Sequence, residues 1–484
     1  MPMPPPNITG QLHLGHALFL SIQDAKTRFH AQIGDDALWL PGTDHAGLAT
    51  HEKILDSLAQ QGLDATDPAL YMREAWSWKE RLHGRITTQI RKMGAACDWS
   101  KERFTLDERS QRSALAAFSR CCSEGMLFRQ DGEWFLRMDD LASQLLCALD
   151  AGEIRITPES SANELRNFLR NIEPWRLSRN ISWGLPIPLE TRGDEWRLSP
   201  SPQITQQAIG AAQSLTPSGE PDGWKPEPAT FDTWFISALW PFSCLGWPEQ
   251  TEDFQRYYPA AWMETADDIL FFWCARMLMM GKLLTGQWPF REIYLHGIIR
   301  DSQGRKMSKS LGNGIDPLEL IEKKGADSLR WMLLANAQPG LDAKFNPATL
   351  SSESKFLNKI WQAGRFLSPF APLLATLPQN ALAMQACSER NEALFADLNR
   401  LTSSWADHFR KNEFSLAARL IQRHFKDFFC DEWIERSKEK LKGGDALLAA
   451  EGFSLLSRYL ALFHPFCPFL TSQLHEQLDL RLFA

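Results

Sequence analysis

Two short motifs, one near each end of the first 345 residues, constrain the fold of this chain most strongly. HLGH (13–16) follows the opening PPPN and precedes ALFLSIQDAKTRFH (17–30), whose apolar residues recur at helical spacing before Gly34. KMSKS (306–310) follows the strand-like EIYLHGII (292–299) and the turn-forming DSQG. Because both motifs come just after a predicted strand, the sequence predicts an α/β fold.

The remaining pattern divides the chain into two α/β stretches, a long interval between them and a helical end. The apolar run ALWL (37–40) enters PGTDHAG and predicts a buried strand followed by a loop. A second α/β stretch begins near FDTWFISALW (231–240) and includes the amphipathic ILFFWCARMLMMGKLL (269–284). From about residue 348 the pattern is wholly helical, with Gly443-Gly444 as a helix stop, which indicates a helical bundle.

Composition and charge exclude several classes of protein. With 484 residues, 44% hydrophobic and 23% charged, the chain resembles a globular protein of several domains. It has no run of eighteen or more apolar residues, so we expect no membrane span. The net charge of −7 argues against nonspecific coating of DNA or RNA, but a local basic stripe could still contact RNA. Nine cysteines without CxxC spacing indicate reduced thiols in a cytoplasmic protein and no cysteine-based metal site.

A pair of histidines at a helix start has a specific chemical use. The N-terminus of a helix presents N–H groups to an anion, and Gly15 lets a flat ring or a phosphate approach the backbone closely. His13 and His16 could donate to phosphate oxygens as charge develops. Taken alone, HLGH is better explained as a helix start with two solvated histidines.

The second motif changes this balance. Two lysines and two hydroxyls on a glycine-flanked loop suit a triphosphate whose leaving pyrophosphate must be neutralised. A single basic pentamer is usually a surface charge cluster. Both motifs together, in this order and on these elements, favour a nucleotide site.

The two motifs and their flanks resemble the class I aminoacyl-tRNA synthetases. HLGH is similar to the HIGH motif of that family, and KMSKS matches its second signature. The flanks PPPNITGQLHLGHA, LPGTDHAGLAT, PWRLSRNISWGLPIP, FDTWFISALWPFSCLGWPE and GIIRDSQGRKMSKSLGN resemble the valyl branch of the family. The resemblance implies a Rossmann-type nucleotide-binding catalytic domain, split by an insertion and followed by an all-α helical bundle.

The resemblance also predicts the order of the domains. They are the first half of the catalytic domain (1–110), a shortened connective insertion (111–225), the second half of the catalytic domain with the KMSKS loop (226–345), and a truncated helical bundle similar to anticodon-binding domains (346–484). Relatives carry an editing domain inside the insertion and a coiled-coil arm after the bundle. Since neither can be matched in this sequence, we expect a minimal enzyme that lacks both.

The resemblance implies roles for individual residues. The implied catalytic residues are His13, His16, Lys306, Ser308 and Lys309. The implied ATP-binding residues are Gly15, Asp268 for the ribose, Gly297 for the adenine, Met307 and Lys309. The implied amino-acid-binding residues are Pro5, Asn7, Asp44, Trp234, Ile269 and Trp273, with Asp44 and the Pro5 carbonyl holding the ammonium. Ala266 departs from the glycine that is usual in the family, which could weaken ATP binding.

Some of these assignments also follow from the residues alone. Asp44 follows a predicted strand, at the edge of an α/β sheet where ligands bind, and an ammonium group needs a carboxylate. Ile269 and Trp273 are four residues apart, hence on one helix face, and could form an apolar wall or simply pack in the core.

Three hypotheses of function remain open. The first is activation of valine, or a similar small aliphatic amino acid, with ATP and Mg²⁺, and its transfer to tRNA without editing, for a specialised pathway. The second transfers the activated acyl group to a carrier protein or small molecule instead. The third is an inactive paralogue that binds RNA or a partner, against which the intact motifs argue. Arg419, Arg423 and Lys426 form a helical stripe that could meet tRNA phosphates or simply be solvated. We expect a monomer without DNA or membrane partners.

Overall fold

A computed structural model describes residues 1–199, 223–307, 312–377 and 392–480. The α-helices of these ranges are α1 (Leu14–Gln32), α2 (Gly47–Gln60), α3 (Pro68–Lys92), α4 (Glu108–Ser123), α5 (Asp139–Asp150), α6 (Glu159–Arg170), α7 (Thr233–Ser237), α8 (Trp240–Ser243), α9 (Glu252–Tyr257), α10 (Ala275–Thr285), α11 (Pro317–Lys324), α12 (Ala326–Asn336), α13 (Pro347–Leu367), α14 (Ala371–Leu374), α15 (Glu392–Arg410), α16 (Phe414–His424), α17 (Glu435–Lys442), α18 (Ala446–Phe463) and α19 (Pro468–Gln477). Leu270–Cys274 and Phe425–Ile434 are π-helical.

The strands are short. They are β1 (Gly42–Thr43), β2 (Arg103–Phe104), β3 (Leu127–Gln130), β4 (Glu133–Leu136), β5 (Arg155–Thr157), β6 (Trp175–Arg176), β7 (Ser178–Arg179), β8 (Leu189–Arg192), β9 (Glu195–Leu198), β10 (Lys225–Pro226), β11 (Thr230–Phe231), β12 (Met263–Ala266), β13 (Glu292–His296), β14 (Ile299–Arg300) and β15 (Ala343–Lys344). Strand β1 pairs in parallel with β2, β13 pairs in parallel with both β12 and β5, and β14 pairs in parallel with β15. The other strand pairs are antiparallel.

The chain divides into two compact units. The first consists of Met1–Leu12, Leu38–Thr88 and Cys97–His296. Its central sheet has the order β12–β13–β5, in which Met263 pairs with Ile293 and Ile293 with Ile156. All three side chains are buried, as expected of a parallel sheet covered on both faces.

The strand predicted over ALWL is mostly extended chain with few ladder bonds. Leu40 forms an isolated parallel bridge with Pro2, and Asn7 forms another with Asp44. The N–H of Met3 donates to the Leu40 carbonyl at 2.9 Å, and that of Asp44 donates to the Pro6 carbonyl at 3.0 Å. Because prolines have no N–H, the proline-rich opening cannot complete a ladder, and β1 begins only at Gly42.

The second unit consists of His13–Ala37, Gln89–Ala96 and Gly297–Ala484. Its helix α1 confirms the helix predicted over 17–30 and begins at the HLGH motif. Buried charges hold the other half of α1. The Asp24 carboxylate lies 2.5 Å from the guanidinium of Arg330, and Lys26 donates to the Phe409 carbonyl at 2.8 Å and the Asn412 side chain at 2.7 Å. Because buried ionic groups need specific partners, these contacts fix how α1 packs within its unit.

The β3–β4 hairpin closes with a two-residue loop. Gln130 pairs with Glu133, which leaves Asp131 and Gly132 as the turn. Their φ angles are 51° and 82°, both in the left-handed region that a tight hairpin loop of the Asp-Gly type requires. Asp131 and Gly132 are therefore the only residues that connect β3 to β4.

One helix among the described ranges, α18, is long and apolar enough by composition to cross a bilayer. Its apolar window is 78% buried inside the protein, which is typical of a core helix. It packs against α13, α16 and α19 in the helical bundle predicted from residue 348 onward.

Candidate active site

A pocket of about 350 Å³ lies in the first unit, at the end of β1. Its lining residues come from five segments of the chain, and they are Asn7, Asp44, Ala46, Leu48, Ala49, Arg179, Asp232, Thr233, Trp234, Phe272 and Arg276. Three of the residues predicted to bind an amino acid, Asn7, Asp44 and Trp234, are thus brought together in one cavity. The position after a parallel strand is where α/β sheets bind ligands.

Asp44 is the buried carboxylate of this pocket, with 3% of its surface exposed. One carboxylate oxygen accepts from the Ala46 N–H at 2.6 Å and the other from the Ser237 hydroxyl. Burial raises the pKa of Asp44 to about 6, against the effect of these two hydrogen bonds, and the nearby Asp232 charge raises it further. A cationic ligand would favour the ionised form, so the pocket suits an ammonium group.

Asp232 forms a second charged cluster in the same pocket. Its carboxylate accepts from the Trp175 indole at 2.9 Å, and the guanidinium of Arg179 lies 3.1 Å away. Arg276 lies 3.6 Å from the same carboxylate and stacks over the Trp175 ring at 4.1 Å. Burial lowers the pKa of Arg276 to about 10, which still leaves it charged near neutral pH. The pocket therefore holds two carboxylates and two guanidinium groups.

Neither Ile269 nor Trp273 is among the residues that line this pocket. The segment is 3₁₀-helical over Asp267–Ile269 and then π-helical over Leu270–Cys274, so α-helical spacing does not apply. Phe272, which sequence reasoning missed, lines the pocket instead. Trp273 is buried outside the lining, where its indole donates to the Ser237 carbonyl at 2.9 Å. Trp273 thus contacts the residue that hydrogen-bonds Asp44.

The two histidines of the second unit form a reciprocal cap on α1. Nδ1 of His13 accepts from the Gly15 N–H at 3.1 Å, and Nδ1 of His16 accepts from the His13 N–H at 3.2 Å. A neutral imidazole that accepts at Nδ1 carries its proton at Nε2, so both rings present an Nε2–H donor. A side chain at position 15 would meet Cε1 of His13 at 2.9 Å, so Gly15 makes room for this cap.

A hydrogen bond between Asp301 and Asn313 joins the chain segments before and after KMSKS. The Asp301 carboxylate accepts from the N–H groups of Gln303 at 3.0 Å and Arg305 at 2.8 Å, and from the Asn313 amide at 2.9 Å. These hydrogen bonds, that of Asn313 first, lower the pKa of Asp301 to about 2. Lys306 is exposed, and its backbone forms an isolated antiparallel β-bridge with Arg300 at the end of β14. Sequence reasoning missed Asp301, although the DSQG turn signalled it.

Met307, Ser308 and Lys309 are the other predicted residues of this loop. Met307 is buried, with 4% of its surface exposed. Ser308 and Lys309 lie outside the described residues. The hydrogen bonds of Asp301 to Arg305 and Asn313 hold the backbone on both sides of the KMSKS segment.

The predicted nucleotide-binding residues Gly297 and Asp268 lie in different units. A side chain at Gly297 would meet the backbone carbonyl of Leu341 at 2.3 Å, so the close approach of these two backbones requires glycine there. Asp268 is exposed on the 3₁₀ turn of the first unit. Its neighbour Ala266 ends β12 and pairs with His296.

The basic stripe of the helical bundle is partly engaged by its own unit. The guanidinium of Arg419 lies 2.8 Å from the Glu353 carboxylate, and Lys426 lies 5.1 Å from the centre of the Phe356 ring. Arg423 is exposed on α16. Arg419 and Lys426 therefore also pack against α13, besides any contact with phosphates.

Comparison with known proteins gives two family matches. The model of the family described as tRNA synthetases class I (I, L, M and V) matches residues 1–133 and 127–346. The model of the anticodon-binding domain of tRNA ligase matches residues 391–481. Together they confirm the predicted fold class, an α/β catalytic domain followed by a helical domain.

Individual relatives agree with this. The valine--tRNA ligase of Carboxydothermus hydrogenoformans is 29% identical in an alignment of 667 positions. This alignment covers 98% of this chain and 75% of the relative. A chloroplastic/mitochondrial valine--tRNA ligase of Arabidopsis thaliana is also 29% identical, covering 99% of this chain and 70% of its own length. Among solved structures, the LeuRS of Agrobacterium radiobacter K84 in a ternary complex superposes with a TM-score of 0.78 at 14% identity, over 99% of this chain and 84% of the other. The methionyl-tRNA synthetase of Mycobacterium tuberculosis with methionyl-adenylate superposes with a TM-score of 0.73 at 19% identity, over 98% and 92%.

Proposed function

Because this chain belongs to the class I tRNA synthetases, we propose that it activates valine, or a similarly small aliphatic amino acid, and transfers it to tRNA. It is an aminoacyl-tRNA ligase that uses ATP and takes an amino acid and tRNA as substrates. The observation that supports an amino-acid substrate best is the buried Asp44 in a pocket shared with Asn7 and Trp234. The choice of valine is supported by the valine--tRNA ligases among the relatives.

In this proposal the pocket separates the two ends of the amino acid. Asp44, with the Pro5 carbonyl, holds the ammonium group, and Asn7 and Trp234 border the side chain. We propose that Ile269 and Trp273 complete this wall, with Trp273 held by its hydrogen bond to the Ser237 carbonyl. The carboxylate remains free to attack ATP.

The nucleotide is held by the two motifs. His13 and His16 donate from Nε2 to the α-phosphate region, while Gly15 leaves room for the cap. Lys306 and Lys309 neutralise the β- and γ-phosphates, and Ser308 and the Met307 backbone help to close the loop. Asp268 meets the ribose, and Gly297 lies beside the adenine. We propose that Mg²⁺ arrives on the triphosphate, whose oxygens are the ligands that this cation prefers.

The reaction follows from this placement. A carboxylate oxygen of the amino acid forms a bond to the α-phosphorus, and the bond from that phosphorus to the bridging oxygen breaks, which releases pyrophosphate. A ribose hydroxyl of tRNA then attacks the acyl carbon and AMP leaves. Positioning and charge neutralisation by the histidines and lysines lower the barrier, and no covalent enzyme intermediate forms.

We propose further that this chain lacks an editing domain. The two matches to the synthetase family meet at residues 127–133, where the β3–β4 hairpin closes through Asp131 and Gly132. The alignment with the Carboxydothermus relative spans 667 positions, whereas this whole chain has 484 residues, so the relative holds residues without a counterpart here. Both observations support a deletion at the hairpin. We propose in addition that the unedited product serves a specialised pathway.

Threonine provides a direct test of this deletion. An apolar pocket rejects a hydroxyl-bearing isostere only about 10²-fold, a general figure for valyl synthetases and not one measured for this chain. We expect threonyl-tRNA made by this protein to persist with the half-life of the spontaneously hydrolysing ester. Faster loss of the ester upon addition of the protein alone would show that an editing site is present.

ATP–pyrophosphate exchange tests the proposed function as a whole. Valine should support exchange with the highest kcat/KM among valine, isoleucine, threonine and alanine. Exchange with none of them would contradict the proposal, and a clear preference for another amino acid would correct the substrate.

The pH dependence of exchange reports on Asp44. Because its pKa is raised to about 6 in the free protein, the carboxyl becomes protonated and neutral as the pH falls through that value. It then no longer attracts an ammonium group, so kcat/KM for valine should fall roughly tenfold per pH unit below about 6. An inflection near the ordinary carboxyl pKa instead would show that Asp44 is less buried than described.

A further inference from the structure

The rim of the amino-acid pocket carries an exposed aromatic ring. Phe272 has 50% of its surface exposed although it lines the pocket, and its ring lies 6.4 Å from that of Trp234 at an interplanar angle of 26°. The π-helical turn Leu270–Cys274 presents it, and π-turns are often found at functional sites. Half of the surface of Phe272 is thus open to solvent beside a second aromatic ring.

A guanidinium group lies beside this ring with an unused donor. Arg276 is centred 5.7 Å from the Phe272 ring and is held over Trp175 at 4.1 Å. Its Nη1 is buried and has no hydrogen-bond partner among the described residues, although Asp232 lies 3.6 Å away. A buried donor without a partner is costly, so a ligand acceptor at this position would be stabilised.

We propose that Phe272 and Arg276 form a subsite for the single-stranded 3′ end of tRNA, a proposal that rests on the function proposed above. A base stacks on the open face of Phe272, and Nη1 of Arg276 donates to a phosphate or ribose oxygen of the same strand. Exposed aromatic rings beside arginine are the combination that binds single-stranded nucleic acid. The amino acid itself needs neither group, because Asp44 binds its ammonium at the buried end of the pocket.

Binding of two tRNAs tests this subsite. One is intact, and the other is trimmed of its single-stranded 3′ end. With the wild-type protein, trimming should weaken binding about tenfold, the effect of one stacked base. With Phe272→Ala the preference for intact tRNA should shrink to the part that Arg276 contributes, because the variant removes the stacking interaction that trimming also removes. Fluorescence anisotropy at fixed salt concentration measures all four dissociation constants.

Matched variants separate stacking from shape. Leu48 lines the same pocket and is 52% exposed, but its aliphatic side chain cannot stack, so Leu48→Ala should keep the full preference for intact tRNA. Phe272→Tyr retains a ring and should also keep it. Arg276→Gln, which keeps a planar amide, should lose part of the preference.

Two results would overturn the subsite. They are an undiminished preference for intact tRNA in Phe272→Ala, and an equal loss of affinity for both tRNAs. If Arg276 binds the carboxylate of valine instead, Arg276→Gln would raise KM for valine in exchange and leave the tRNA preference intact. Valine-dependent exchange by the wild-type protein tests the proposed function independently of these binding ratios.

Discussion

Replacing Asp44 with Asn is expected to lower kcat/KM for valine-dependent exchange by about 10²- to 10³-fold. The amide can still accept from the Ala46 N–H, so the local backbone retains its hydrogen bond. What is lost is the negative charge, in a pocket where Asp44 has only 3% of its surface exposed. Removing one partner of a buried, hydrogen-bonded charge pair costs about 2–5 kcal/mol, and the expected loss lies in the middle of this range.

Ser237→Ala is the matched control for that variant. It removes the hydroxyl that hydrogen-bonds Asp44 but leaves the carboxylate charge in place. We expect a smaller loss than for Asp44→Asn, of about ten- to a hundredfold, because a hydrogen bond to a charged group contributes about 1.5–3 kcal/mol. The thermal stability of both variants should be compared, because each changes a buried side chain. Activity of Asp44→Asn within fivefold of wild type would show that the ammonium is bound elsewhere.

Substitution of His16 is expected to have the second large effect. Its Nδ1 accepts from the His13 N–H, so the chemically useful donor is Nε2–H. His16→Ala should lower kcat of exchange about 10²- to 10³-fold, as removal of a transition-state donor does, with little change in KM for valine. A KM effect of the same size would indicate a role in binding the ground state.

Two amides distinguish the nitrogens of His16. The Gln side chain places its NH₂ near the position of Nε2, whereas the shorter Asn side chain places it near Nδ1. We therefore expect His16→Gln to retain clearly more exchange activity than His16→Asn. The opposite order would mean that the ring donates from Nδ1 and that the reciprocal cap on α1 does not persist during the reaction.

The sequence predicted those parts of the site whose chemistry is local. HLGH marks a helix start because the capping contacts join residues two or three positions apart. The resemblance implies Asp44, whose place after an apolar run is consistent with that role, and the DSQG turn precedes the KMSKS loop. The α/β fold with a helical end followed from hydrophobic spacing in the same way.

The parts that could not be predicted depend on long-range packing or unusual backbone. Ser237 is separated from Asp44 by 193 positions, and no local pattern connects them. Apolar spacing over 269–284 indicates an α-helix, but the π-helical turn brings Phe272 rather than Trp273 to the pocket. The pairing of Asp232 with Arg179 likewise requires two separate segments to meet.

Charging of purified tRNA with labelled valine is the measurement that tests the central claim most directly. The protein, ATP, Mg²⁺ and total tRNA should give acid-precipitable label that disappears completely after RNase treatment. Such label would place valine on an RNA acceptor. Label that survives RNase would indicate another acceptor, and the absence of any label in the presence of active exchange would contradict transfer to tRNA.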